Sequence, residues 1–313
     1  MARRRPAQVH GCLVVDKPAG ITSHDVVDRA RRALGERKVG HAGTLDPDAT
    51  GVLVLGVGDA TRLLRFIDLV PVPGREPTTS KSYVGTVVLG VETDSLDASG
   101  SITTVHDMSA VVATLDVATV QRVVDEHLTG DILQVPPMVS ALRVDGRRLH
   151  EMAREGTEVE REPRPVTVHS FRVVAVRGDS IDIDVSCSSG TYIRSLAADL
   201  GRLLGGGAHL RDLRRTRVGV FGLERAVSLE GIGVDSLLPV ATAVESLSRL
   251  TVIDDEVSRL STGGLIARER FVGAPPWAVF ETSGRLLAVY EPFANERVGD
   301  GWARPAVNLV KST

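Results

Sequence analysis

The sequence predicts a mixed α/β protein, because different stretches carry different hydrophobic periods. Ile181, Ile183, Val185 and Cys187 alternate with Asp182, Asp184 and Ser186, the pattern of an antiparallel strand with one face buried and one wet. Val26, Val27, Ala30 and Leu34 fall on one stripe of a helix instead, as do Ile193, Leu196, Ala197, Leu200 and Leu204. With 313 residues and 42% hydrophobic content, the chain can bury a full core as one large domain and a small one, or as two medium ones.

In chain order, Gly11 to Asp16 reads as the first strand. Thr22 with Asp25 three residues later resembles a capping box, which opens the helix of Val26 to Leu34, and Gly35 stands where a left-handed C-cap is needed. Arg29, Arg31 and Arg32 then lie on the face opposite the apolar stripe. Next comes the most constrained segment, Gly40-His41-Ala42-Gly43-Thr44-Leu45-Asp46-Pro47-Asp48-Ala49-Thr50-Gly51. Pro47 confines Asp46 to extended backbone angles and the glycines permit turns closed to other residues, so one carboxylate is held in a rigid loop. An isolated Asp-Pro most often only closes a turn. In this loop, His41 is also placed to serve Asp46 as a general base.

Two rival chemistries fail on the same residues. Asp46, Asp48 and Thr50 imitate the opening of a calcium loop, but Val57 occupies the position that needs a bidentate Glu. Val52 to Leu55 reads as a buried strand and Gly56 to Asp59 as a turn, yet the Gly-Lys-Ser/Thr ending of a phosphate-binding loop is missing. Further on, Pro71 to Thr79 reads as a loop, Tyr83 to Val91 as a strand and Glu92 to Gly100 as a polar turn region without firm structure. A helix is expected from Thr119 to Leu128, ending near Gly130. Arg194 falls in the first turn of the helix that follows Ser188-Ser189-Gly190, where a cation is electrostatically disfavoured. It is either an idle exposed arginine or one facing an anionic partner outside the helix.

A net charge of −3 argues against wholesale polyanion binding, so nucleic-acid contact must come from local clusters. Residues 29–38 carry Arg29, Arg31, Arg32, Arg37 and Lys38 against Glu36, and residues 202–217 carry Arg202, Arg211, Arg214, Arg215 and Arg217 against Asp212. Arg143, Arg147 and Arg148 form a weaker third group, and any one such cluster taken singly is most often a solvated face. Cys12 and Cys187, the only cysteines, sit far apart in apolar strand patterns, which suggests neither a disulfide nor a zinc site. The apolar run after Arg3-Arg4-Arg5 stops at Asp16, too short for a signal peptide or a span, so a cytoplasmic protein is expected.

Six motifs in order, Asp16-Lys17-Pro18-Ala19-Gly20, the Gly40 to Gly51 loop, Lys81-Ser82-Tyr83, Val135-Pro136-Pro137-Met138-Val139-Ser140-Ala141, Gly190-Thr191-Tyr192-Ile193-Arg194 and Gly207-Ala208-His209-Leu210, resemble the TruB family of tRNA pseudouridine synthases. The resemblance covers roughly residues 10 to 220. It implies the pseudouridine synthase fold, a central antiparallel sheet with an active-site cleft in residues 1–240, and a small C-terminal PUA-like β domain in residues 241–313. Short strand-like runs, Trp277 to Phe280 and Leu286 to Tyr290, agree with the latter.

The activity it implies is isomerisation of uridine 55 in the T-loop of tRNA, by base flipping and aspartate-dependent catalysis, with no cofactor and no metal. Asp46 would be the catalytic carboxylate, acting on sugar or base, with Arg194 paired to it and Tyr83 stacked on the target base and taking part in proton transfer. Tyr192 and Leu213 would bind the uridine, and His41 would fill the place the flipped base vacates. Arg31, Arg32, Arg211, Arg214 and Arg215 become backbone contacts, and residues 131–156, with Arg143, Arg147 and Arg148, resemble the family's mobile RNA-binding loop. Lys17 and Pro18 are expected to brace the Asp46 loop. The partner implied is the T-arm of tRNA, bound by a monomer away from any membrane. Two alternatives are a guide-dependent synthase acting on ribosomal RNA and a non-catalytic tRNA-binding or folding protein. The Asp46, Tyr83 and Arg194 set argues against the latter, and the lack of a long basic tail after Asn308 against the former.

Overall fold

The structure, a computed structural model, describes residues 6–72, 75–140, 143–144, 147–148, 152, 155, 159–295, 297 and 299–310. The chain opens with β1 (Gly11–Lys17), α1 (Ser23–Leu34), β2 (Val39–His41), β3 (Thr50–Val57), a 3₁₀ helix at Gly58–Phe66, β4 (Leu69–Val72) and β5 (Arg75–Thr79). Then come β6 (Lys81–Leu89), β7 (Val91–Thr93), β8 (Ile102–Val105), α2 (Ser109–Val112), α3 (Val117–His127), β9 (Gly130–Gln134), β10 (Arg143–Val144) and β11 (Arg147–Arg148). They are followed by β12 (Arg164–Arg177), β13 (Ser180–Cys187), α4 (Ile193–Leu203), β14 (Ala208–Val218) and β15 (Phe221–Gly222). The last elements are β16 (Ser248–Val252), α5 (Asp254–Ser261), β17 (Ile266–Ala267), β18 (Trp277–Glu281), β19 (Leu286–Asn295) and β20 (Gly299–Asn308).

These elements gather into two compact units. The first comprises Met1–Pro47, Gly51–Ser80 and Arg217–Thr313, and the second Asp48–Thr50 and Lys81–Thr216. In the first unit β1 runs antiparallel to β3, from Gly11 opposite Val57 to Lys17 opposite Gly51, and β2 pairs with the far end of β3. The start of α1 is fixed by its sequence. The Thr22 side chain accepts from the Asp25 N–H while Asp25 accepts from the Thr22 N–H, and Gly35 closes the helix in the left-handed region at φ 62°. Val26, Val27, Ala30 and Leu34 are all buried, as their spacing predicts.

The C-terminal stretch of the same unit builds a five-stranded sheet in the order β16-β18-β19-β20-β17, parallel only between β16 and β18. The two strand-like runs read from the sequence lie in β18 and β19. Ala278, Phe280, Leu286, Val289 and Val307 from this sheet share one apolar core with Cys12, Val14, Val52, Val54, Leu63 and Phe66.

The second unit holds the strand order β14-β6-β13-β12-β9. Its β13 alternates buried and half-buried residues along its whole length, and pairs antiparallel with β6 and β12. The five described positions of the α4 stripe are buried except Leu204, which is half-buried and caps the helix.

Two expectations require correction. The described residues of 71–79 are strand and not loop: β4 and β5 pair antiparallel, with Leu69 opposite Thr79 and Val72 opposite Arg75. Prolines were the misleading signal, since Pro71 falls on the register shift between Val70 and Val72, a bulge where proline is tolerated. Nor is 92–100 unstructured. Gly90 at φ 86° ends β6, β7 pairs with β8, and the turn between them is knit by Asp97, whose carboxylate accepts from the Ser95 and Ser99 hydroxyls.

Burial pushes the Cys12 thiol up to about 12, against a smaller pull from the Ala243 backbone, and the Cys187 thiol up to about 11. A folded pKa above the unfolded one means that stability is complete below the unfolded value of about 9 and is lost as the pH rises through the folded value. The denaturation midpoint should therefore be flat up to about pH 9 and fall towards pH 12. The double variant Cys12→Ala/Cys187→Ala should fall less steeply than the wild type over that range.

Candidate active site

Asp46 and the loop up to Pro47 belong to the first unit, and groups on either side of Asp46 fix the backbone there. Lys17 is 0% exposed, and its Nζ donates to the carbonyls of Pro47 (2.7 Å), Ile21 (2.8 Å) and Pro18 (2.9 Å). The Pro47 carbonyl also accepts from the Gly20 N–H at 3.0 Å. One residue before Asp46, the Leu45 N–H donates to Ser23 Oγ (2.8 Å), and that hydroxyl donates back to the Leu45 carbonyl (3.1 Å). Gly43 and Gly51, at φ 93° and 101°, occupy the left-handed region that the turns on either side of Asp46 require. Asp46 is half-buried, and His41 ends β2 opposite Leu55, also half-buried.

Tyr83, Tyr192, Arg194 and Leu213 belong to the second unit. Tyr83 is buried in β6 opposite Val185, Tyr192 is the half-buried N-cap of α4, and Leu213 lies half-buried in β14. Arg194 is 3% exposed, which disposes of the idle surface arginine. Its Nη1 donates to the Ser95 carbonyl (2.7 Å), its Nη2 to the Val139 carbonyl (2.9 Å), and its Nε lies 3.6 Å from the Asp97 carboxylate. A guanidinium so held cannot swing away, and the planar fork fixes its direction.

Sequence reasoning missed three contributors here. Ser95 and Asp97 sit in the turn read as structureless, and Gln134, 2% exposed at the end of β9, touches the Tyr192 backbone. The Ser-x-Asp-x-Ser spacing of 95–99 was the available signal for the turn, since such side chains close turns on their own backbone.

The basic residues divide. Arg32 and Arg211 are exposed, while Arg31 is half-buried and donates to Asp28 (2.9 Å) and the Val39 carbonyl (3.1 Å), tying α1 to β2. Arg214 is half-buried with Nη1 3.4 Å from Thr50 Oγ1. Arg215 is 1% exposed, which corrects its reading as a surface phosphate contact: β14 turns that residue inward. Arg147 is exposed and forked on Glu155 at 2.6 and 2.7 Å, whereas the side chains of Arg143 and Arg148 and much of 141–158 lie outside the described residues. The backbones of Arg143 and Arg148 pair where β10 runs antiparallel to β11. Among the described residues no helix is long and apolar enough to cross a membrane.

Comparison with known proteins bears on this arrangement. A family model described as TruB family pseudouridylate synthase (N terminal domain) matches residues 31–193, and one described as tRNA pseudouridylate synthase B C-terminal domain matches residues 194–250. A tRNA pseudouridine synthase B of Rhodococcus jostii (strain RHA1) is 46% identical over 289 residues, covering 90% of each chain. A protein of the same name from Arthrobacter sp. (strain FB24) is 43% identical over 317 residues, covering 96% of this chain and 97% of that one. Among solved structures, a chain of a Cbf5-Nop10-Gar1 complex superposes with a TM-score of 0.71 at 24% identity, covering 96% of this chain and 85% of its own. A chain of an H/ACA RNP bound to a substrate RNA containing 2'-deoxyuridine gives 0.69 at 23%, with the same coverage. Likeness at that identity establishes the shared fold.

The loop geometry yields a prediction of its own. Lys17→Met fills a similar volume but takes the ammonium donor from three carbonyls, of which that of Pro47 keeps the Gly20 N–H, and should cost about 2–4 kcal/mol in denaturant unfolding. Amide exchange of residues 43–48 should rise more than that of α1. An unaltered exchange rate in the loop would show that Lys17 does not brace it.

Proposed function

The chain belongs to the TruB family of pseudouridylate synthases, and we propose that it isomerises a uridine of tRNA to pseudouridine, the target being position 55 in the T-loop. The reaction breaks the bond from C1′ to N1, turns the base and joins C1′ to C5. C5 loses its proton and N1 gains one, so the product has the composition of the substrate. Such chemistry needs one precisely aimed carboxylate and exclusion of water from C1′, and covalent catalysis by an aspartate supplies it without a cofactor.

The observation that carries the reading is the Asp46 loop, in which the backbone on both sides of a carboxylate is clasped, Leu45 by Ser23 and Pro47 by Lys17, within a family motif. The same reading makes Arg194 the partner that holds Asp46 ionised and oriented, Tyr83 the face on which the base stacks, and Tyr192 and Leu213 pocket residues. His41 takes the place of the extruded base, offsetting an unstacking cost of a few kcal/mol. Exposed Arg32 and Arg211, with Arg214 and Arg147, serve the RNA backbone, and residues 241–313 act as a PUA-like RNA-binding module of a monomeric enzyme. The relatives' shared name supports tRNA as the substrate.

Turnover on a T-arm stem-loop tests the proposal. Asp46→Asn should abolish pseudouridine formation while leaving RNA affinity within about tenfold, because the phosphate contacts remain. Asp48→Asn should be mild. Measurable turnover by Asp46→Asn, with deamidation excluded, would reject the assignment. Arg194→Ala should slow turnover more than Arg214→Ala at saturating RNA, and equal rates would reduce Arg194 to a phosphate contact.

Binding is expected to weaken steeply with salt. Arg32→Gln and Arg211→Gln should each flatten the slope of log affinity against log salt by about one unit while sparing catalysis at saturating RNA. Slopes unchanged in both variants would place the backbone contacts elsewhere.

A further inference from the structure

Gln134 is the last residue of β9, paired in the ladder with Arg164, and its side chain is buried. Its Oε1 accepts from the Tyr192 N–H at 2.8 Å and its Nε2 donates to the Tyr192 carbonyl at 3.0 Å. Two residues of an antiparallel ladder exchange the same pair of bonds; here one partner is a side chain. Tyr192 is an N-cap in extended conformation, φ −100° and ψ 111°, with no side chain of its own capping the helix. Its carbonyl also accepts the first bond of α4, from the Leu196 N–H at 3.2 Å. The amide of Gln134 therefore sets the direction in which α4 departs.

Two neighbouring clasps continue the line. Ser195 Oγ donates to the Val135 carbonyl (3.0 Å) and Arg194 Nη2 to that of Val139 (2.9 Å). Three groups at the start of α4, the Tyr192 backbone, the Arg194 guanidinium and the Ser195 hydroxyl, are thus referenced to residues 134–139.

We propose that Gln134 is a positioning residue for the isomerisation: it holds Tyr192 and the first turn of α4 so that the Arg194 guanidinium is presented in one orientation. The inference rests on the function proposed above. A buried amide whose donor and acceptor are both used is costly to disturb, and small displacements of reacting groups are costly to rate.

The molecule carries a natural control. Gln121 of α3 makes a clamp of the same kind, Nε2 to the Phe171 carbonyl (2.8 Å) and Oε1 from the Val173 N–H (2.7 Å), on β12, where neither Phe171 nor Val173 is assigned a part in the reaction.

The experiment compares Gln134→Met, Gln134→Ala and Gln121→Met with the wild type, measuring single-turnover pseudouridine formation at saturating tRNA, tRNA affinity and exchange of the Tyr192 amide. Both Gln134 variants should lose about ten- to a hundredfold in rate, with faster exchange at Tyr192 and affinity nearly unchanged. Gln121→Met should lose stability without loss of rate. An unchanged rate in Gln134→Met, an equal loss in Gln121→Met, or failure of both Gln134 variants to fold would overturn the proposal, the last by making Gln134 a structural residue. A wild type inactive on tRNA would sink the functional reading instead, and faster Tyr192 exchange would still report the clamp.

Discussion

An ammonium group removed from water has to be surrounded by oxygens, and the loop that carries Asp46 is built to that requirement. Lys17 ends a strand that buries Cys12, Leu13, Val14 and Val15, and its nitrogen turns into the segment that follows, where the carbonyls of Pro18, Ile21 and Pro47 converge on it. One of the three belongs to the residue after Asp46, and Gly20 adds a backbone bond to the same oxygen. Because a buried, hydrogen-bonded charge is destabilising the moment its partners leave, the loop is fixed with an energy that ordinary turn contacts do not supply. The strand β1, the cap of α1 and the Asp46 loop are in this sense one device.

The second unit solves a related problem with a guanidinium. Arg194 stands where helix electrostatics oppose it, yet carbonyls from two separate segments, Ser95 and Val139, receive its donors and the Asp97 carboxylate offsets its charge. The turn that supplies Ser95 and Asp97 is itself tied to β14, with Ala98 N–H donating to the Leu210 carbonyl and Leu210 N–H to that of Leu96. Positioning of one cation thus draws on three stretches distant in sequence.

What the sequence made legible follows from the range of the interactions. The capping box and stripe of α1, the alternation of β13 and the stripe of α4 depend on neighbours within a few residues, and each was read from spacing. The Asp46 loop was legible as a constrained turn because Asp-Pro between glycines restricts the backbone locally. Gln134 was not, since a polar residue at a strand end looks like any solvated one until its partner 58 residues later is folded against it. Arg215 failed in the opposite sense: charge composition grouped it with Arg214, while the pleat of β14 turns the two to different surroundings. The pairing of β4 with β5 was hidden by the prolines of that stretch, of which Pro71 is accommodated at a bulge.

The division of the chain bears on how the protein is made. The second unit uses residues 81–216 almost without interruption, whereas the core beneath β1 and β3 is completed by Val218, Phe221, Ala243, Val244 and the strands up to Val307. A ribosome releases the N-terminal strands long before the residues that cover them. Cys12, Val14, Val52 and Val54 must therefore wait, exposed or chaperoned, through the synthesis of about two hundred further residues, while the stretch from Lys81 to Thr216 can close as soon as it has emerged. The stretch up to Pro47 that carries Asp46, held by Lys17 at the end of β1, belongs to the unit that is finished last.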